Sequence, residues 1–141
     1  MIGRTIDQLS IGDSEQFSKT IAESDVYLFA GITGDLNPAH INEEHAKNTR
    51  FEKRIAHGIL VGGLISTVIG MKLPGPGSIY REQQYKFLAP VFIGDTITAK
   101  VEVLELIPEK NKIVLQTTCT NQDGKLVIDG SAVIHPPLKN T

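Results

Sequence analysis

The spacing of apolar residues changes once along this chain. Up to about residue 73 it follows the three-and-four rhythm of helices, and beyond residue 78 the alternation of strands. An early exception is residues 15–21, whose loose alternation predicts a first strand. Ser24, with Asp25 in the following turn, predicts the N-cap of a helix running to about Thr33. Gly31 and Gly34 are expected to end it. Asn37-Pro38 predicts a turn, because the proline ring fixes its own φ and restrains the residue before it. Residues 43–48 predict a short helix. The strongest helix covers residues 58–72. It is apolar nearly all round, as in a helix buried on most sides, and at about 1.5 Å per residue it is roughly 22 Å long. Pro74-Gly75-Pro76-Gly77 stops it.

Four further strands are predicted over residues 78–88, 96–107, 112–121 and 126–135. Ile97, Ala99, Val101 and Val103 share one face, and Ile113, Leu115, Thr117 and Cys119 share another. Asp123-Gly124 predicts a two-residue hairpin turn. One buried helix with about five antiparallel strands describes an α+β fold in which the sheet wraps the helix. No repeat or composition shift divides the chain, so residues 1–141 are read as a single domain. Open sheets have edges that must be paired or covered, and the buried helix leaves little polar surface beside the sheet rim. Both points predict a homodimer in which two sheets join.

Composition narrows the setting. The 141 residues suit one domain, and a formal charge of −2 gives no basic footprint for nucleic acid and no polybasic segment for a membrane surface. The longest apolar run, residues 58–73, contains Ser66, Thr67, Lys72 and several glycines, and falls short of the roughly 20 apolar residues of a membrane span. The first residues lack the apolar core of a signal peptide. Cys119 is the single cysteine, which excludes an internal disulfide and fits a reducing cytosol. A cytoplasmic protein with neither membrane nor nucleic-acid partners is expected.

Candidate chemistry gathers around Asp35 and His40. The Asn37-Pro38 turn shortens the distance between them, so that both side chains reach one water molecule. A carboxylate and an imidazole so placed suit proton transfer in both directions. The alternative is structural: an Asp before Asn-Pro caps nearby backbone N–H groups. Gly58 opens the long helix, whose first N–H groups are unpaired and whose dipole favours negative charge. A thioester carbonyl aimed there would be polarised and its enolate stabilised. Gly62 and Gly63 are read as positions where strands pack closely on the helix. Ser66, two turns on, is placed to touch the water, the acyl group or His40, or to bond back to the Gly62 carbonyl. His57 is expected to shape the loop or orient the reacting groups, while His45 and His135 read as surface residues. Arg50, Lys53 and Arg54 read as solvated charges. No zinc-type spacing, phosphate loop or dinucleotide fingerprint is present, so neither metal nor cofactor is expected. Cys119 lies mid-strand and reads as core, not as a nucleophile.

At these residues the chain resembles the MaoC-like (R)-specific enoyl-CoA hydratases, the hydratase 2 family of the hotdog superfamily. The resemblance rests on Phe29-Ala30-Gly31-Ile32-Thr33-Gly34-Asp35-Leu36-Asn37-Pro38-Ala39-His40 and on Ile55-Ala56-His57-Gly58-Ile59-Leu60. Leu73-Pro74-Gly75-Pro76-Gly77-Ser78-Ile79-Tyr80 and Phe87-Leu88-Ala89-Pro90-Val91 add to it, and it extends from about residue 15 to 136. It implies a hotdog fold, with Asp35 and His40 holding and activating water, the Gly58 amide forming the oxyanion hole, and Ser66 beside the acyl chain. It also implies a dimer with the coenzyme A tunnel at the subunit interface. Asn37, His57, Ser66 and Ile69 are the expected substrate-binding residues. Ile69 and Val133 are candidate liners of the acyl pocket, and the bulk of Ile69 leans towards short chains. The expected reaction is reversible syn addition of water to a trans-2-enoyl-CoA, giving an (R)-3-hydroxyacyl-CoA, with coenzyme A part of the substrate. Asp35 is the expected base, while His40 orients the water and helps to deliver the proton. Alternatives are a dehydratase acting on acyl-carrier-protein thioesters, a hotdog thioesterase and a non-catalytic acyl-CoA-binding module.

Overall fold

Among the described residues, five strands, antiparallel throughout, form one sheet in the order Ser14–Thr20 (β1), Thr96–Ile107 (β3), Lys112–Thr120 (β4), Leu126–His135 (β5) and Ile79–Phe87 (β2). A computed structural model of the chain describes residues 2–139. Each strand lies within a residue of its expected bounds. The helices are α1 (Glu23–Thr33), α2 (Pro38–Ile41), α3 (Glu43–Lys47) and α4 (Gly58–Met71). The alternating residues of β3 and β4 turn inward, and Ile97, Val101, Ile113 and Leu115 join Val61, Ile65 and Val68 of α4 in one buried cluster. Burying each such side chain stabilises the fold by about 1.5–3 kcal/mol. Thr117 sits on the same inward face, and its hydroxyl accepts a hydrogen bond from Gln83 Nε2 at 3.0 Å. This is the expected α+β arrangement of a sheet curled around a central helix.

Several local expectations change. Helix α1 begins at Glu23, after Ala22, and not after Ser24. Asp25 explains the shift: its carboxylate accepts from the Ala22 N–H at 2.8 Å, which supplies the cap from inside the first turn. Gly34, in the left-handed region at φ 81°, closes α1, whereas Gly31 lies within it. The Asn37-Pro38 turn becomes a single helical turn, α2, because Asn37 Oδ1 accepts from the Ala39 N–H at 3.0 Å. The β4–β5 connection is a turn from Asn121 to Gly124, not a two-residue one. The Gly124 N–H donates to the Asn121 carbonyl, and the Asp123 and Lys125 N–H groups donate to Asn121 Oδ1.

Helix α4 is not covered all round. Ile59, Gly63, Ser66 and Met71 remain exposed and form a stripe along the side away from the sheet. The Tyr85 hydroxyl donates to the Gly62 carbonyl at 3.0 Å, so edge strand β2 runs beside the first half of the helix. A Cβ on Gly62 would meet the Tyr85 ring at 2.7 Å, as expected of a close-packing glycine, whereas one on Gly63 would meet nothing within 4 Å.

Candidate active site

Asp35 follows the left-handed Gly34 directly, so the carboxylate hangs from the point where α1 stops. It is exposed, and its Oδ1 accepts a long 3.4 Å bond from the Asn37 N–H. The Asp35 N–H donates to Thr33 Oγ1 at 3.2 Å. His40 lies in α2 and is half-buried. Its Nδ1 is 2.7 Å from the Ile55 carbonyl. A carbonyl only accepts, so Nδ1 carries the hydrogen and Nε2 of the neutral ring keeps its lone pair. His57, the N-cap residue of α4, donates from Nε2 to the Asp35 backbone carbonyl at 3.0 Å. The His40 and His57 rings stack at 3.9 Å with 30° between planes.

One ligand-type atom from each of Asp35, His40 and His57 lies within 4.8 Å of the others. The chain therefore gathers into one small space the carboxylate and imidazole that their spacing had paired, and adds the imidazole of His57 from 17 residues further on. A single water or a small cation fits that space by distance. His57 Nε2 is committed to the Asp35 carbonyl and its Nδ1 is buried, which leaves the Asp35 carboxylate and His40 Nε2 as the more accessible groups for a guest.

The head of α4 lies next to this group. Its first internal bond runs from the Val61 N–H to the His57 carbonyl, and no described residue accepts from the Gly58 N–H. That amide borders a cavity of about 390 Å³ lined by Arg50, Phe51, Ile59, Phe87, Leu88 and Pro90, largely apolar with one cation at its wall. A donor at the head of a helix beside an apolar cavity suits an oxygen that gains negative charge. Glycine stands here because a Cβ would meet the Phe87 ring at 2.7 Å.

The remaining expected residues divide. Asn37 has its Oδ1 engaged in capping α2, which leaves its Nδ2 as the group available to a ligand. Ser66 is exposed on the open stripe of α4, and among the described residues it bonds neither to the Gly62 carbonyl nor to His40. Ile69 is 1% exposed and belongs to the core cluster of the single chain, and it is not among the residues lining the cavity at Gly58. Val133 borders a separate polar hollow with Glu82, Gln84 and Ser131. His57 is 2% exposed in the single chain and packs against the rings of His40 and Phe29. His135 is half-buried and bonded from Nδ1 to the Asn111 carbonyl, whereas His45 is exposed as expected. Cys119 is fully buried, and burial pushes its thiol up to about 12, as a core residue requires.

Arg54 is the residue that sequence reasoning missed. It is not a solvated charge: its side chain is 12% exposed and bonds to Glu23 at 2.8 Å, Glu43 at 2.8 Å and Tyr27 Oη at 2.9 Å. The hydrogen bond from Arg54 holds the Glu23 carboxyl below the usual range. Its partners lie 11 to 31 residues away, so no local pattern marks it. Of the three basic residues Arg50, Lys53 and Arg54, the last forms an internal clamp between α1 and α3.

Residues 8–124 match the family described as MaoC like domain. An (R)-specific enoyl-CoA hydratase of Rhodospirillum rubrum is 53% identical over 133 residues, covering 94% of this chain and 92% of that protein. A 3-hydroxybutyryl-CoA dehydratase of Methylorubrum extorquens is 49% identical, covering 94% and 84%. Among solved structures, the unliganded R-hydratase of Pseudomonas aeruginosa has a TM-score of 0.92 at 43% identity, over 97% of this chain and 88% of that one. No helix among the described residues is long and apolar enough to cross a membrane.

Proposed function

This chain belongs to the MaoC-like domain family, and we propose that it is a hydro-lyase that adds water reversibly to trans-2-enoyl-CoA, giving (R)-3-hydroxyacyl-CoA. The observation that carries the reading is the sharing of one small space by the Asp35 carboxylate and the His40 imidazole, beside the unpaired Gly58 amide. The stereochemistry and the coenzyme A thioester come from what the relatives are named for.

The chemistry follows from these groups. A water held between Asp35 and His40 Nε2 gives a proton to Asp35, and its oxygen bonds to C3 of the enoyl group. The C2–C3 π electrons move toward the thioester carbonyl, whose developing oxyanion accepts from the Gly58 N–H. A proton returns to C2 through the Asp35–His40 pair, on the face from which the oxygen came. Hydrogen and hydroxyl are thus added to one side, and the reverse path is dehydration. In a dry site one such oxyanion donor is worth about 10²–10³ in rate. Thioester and water are the only reactants, with coenzyme A part of the substrate and no further cofactor.

The working form in this proposal is a homodimer. Edge strand β2 carries an unpaired edge and exposed Ile79, Tyr80 and Phe87, and the open stripe of α4 lies beside it. A second copy covering both would also cover Ser66 and Ile59, which places the acyl chain at the subunit interface.

The test is the ultraviolet absorbance of crotonyl-CoA mixed with purified protein, the product being passed to (R)- or (S)-specific 3-hydroxyacyl-CoA dehydrogenase. Loss of absorbance with response from the (R) enzyme alone is expected. Release of free coenzyme A thiol in place of hydration would mark a thioesterase, and binding without turnover an acyl-CoA-binding module.

A further inference from the structure

His57 takes no part in the reaction just described, yet it touches the two residues whose side chains do, Asp35 and His40. We propose that His57 is a positioning residue: its buried imidazole sets the backbone at Asp35 and the ring plane of His40, at the expense of the stability of the fold. The inference rests on the hydratase reading of the site.

The hydrogen bond from Nε2 to the Asp35 carbonyl spans 22 residues of chain and ties the end of α1 to the head of α4. Without it, Asp35 would follow a left-handed glycine held by the 3.2 Å bond from its N–H to Thr33 Oγ1 and the long 3.4 Å contact from Asn37 N–H to its carboxylate, both local to the turn. The stacked ring on the other side limits His40 to the plane in which Nδ1 meets the Ile55 carbonyl, and so aims Nε2. With the hydrogen on Nε2, Nδ1 is an acceptor, and it is buried with no hydrogen-bond partner. Phe29 packs on the same ring at 4.7 Å. An orphaned acceptor in such surroundings destabilises the folded state. A phenylalanine would fill the same space with no polar atom, and the Asp35 carbonyl that it released is on an exposed residue within reach of water. What phenylalanine lacks is the N–H. The imidazole thus serves the geometry of the site and not packing.

The experiment compares His57→Phe and His57→Gln with the wild-type chain, by kcat and KM on crotonyl-CoA, by thermal melting, and by 15N NMR of the imidazoles. His57→Phe is expected to lower kcat on the order of 10²-fold, the scale of an ångström-sized misplacement, with KM unchanged and a melting temperature equal to or above wild type. His57→Gln keeps a donor near the position of Nε2 and is expected to recover part of kcat while melting no higher. Wild-type kcat in His57→Phe would overturn the proposal. So would a joint loss of melting temperature and activity in both variants, which is the mark of a structural residue. Should the wild-type chain itself leave enoyl thioesters unchanged, the hydratase reading fails, and NMR decides the positioning role separately. An Nε2–H at His57 supports the contact to Asp35, and an Nδ1–H tautomer with a bare Nε2 overturns it.

Discussion

Asp35 and His40 are held in different ways, one by a turn and the other by an anchored ring. The carboxylate is exposed on a short loop, whereas the imidazole is fixed through Nδ1 by the Ile55 carbonyl. Neither is part of the buried cluster, so their loss is expected to remove chemistry and spare the fold. Asp35→Asn and His40→Gln are each expected to lower turnover of crotonyl-CoA by about 10²–10⁴, the range of general acid–base catalysis, with circular dichroism and melting near those of wild type. Near-normal turnover in either purified variant would overturn the assignment. These two residues and Gly58 were legible in the sequence because their chemistry sits in side chains and in a helix start, within short motifs. The Ile55 carbonyl was not, since a backbone acceptor has no residue signature. Ser66 is exposed in the single chain and bonds to nothing among the described residues, so its role rests on the proposed pairing of two copies.

At the scale of elements, the clamp at Arg54 joins α1 and α3, the two helices that flank the Asp35–His40 turn. Its carboxylate partners have side chains about half exposed (52%), so its contribution to stability is discounted for solvent. Arg54→Met is expected to lower stability by about 1 kcal/mol, a value typical of such surface pairs, and to reduce kcat as the turn loosens. Thermal melting and turnover measured at low and high salt check this, since the wild-type advantage should shrink as salt screens the pairs. An unchanged melt and unchanged kcat would show the clamp to be without consequence. The strands were readable to within a residue because alternation of inward and outward side chains leaves a two-residue period in β3 and β4. The caps were less so. Asp25 reaching back to Ala22 and Asn121 holding the turn from its first position are choices among neighbouring polar residues that periodicity does not distinguish.

For the molecule as a whole, the proposed pairing of two sheets is open to a direct test. Gly63 lies on the open stripe of α4, where a Cβ would meet nothing within 4 Å. Gly63→Arg is therefore tolerated by the single chain and obstructs a partner. Analytical ultracentrifugation is expected to give twice the 15.4 kDa chain mass for wild type and the single mass for the variant. Wild-type protein sedimenting at one chain mass would refute the dimer. The helix-in-sheet plan was legible because α4 is so apolar. The single stripe left bare was not, because hydropathy does not say which side a chain's own sheet fails to reach.

The reacting groups ride on the segment between the end of α1 and the start of α4. That segment is hydrogen-bonded to the loop before β3 through the Ile55–Phe92 bridge and the bond from Ala56 N–H to the Val91 carbonyl, with Lys53 over the Phe92 ring and Ala56 reaching the core cluster. No strand has to part for it to open. Local opening of such a region takes less free energy than global unfolding, so catalytic competence and foldedness become separable properties of this chain. In a urea titration, turnover is expected to vanish while the far-ultraviolet signature of the sheet persists, and coincident midpoints would show segment and sheet to melt as one unit.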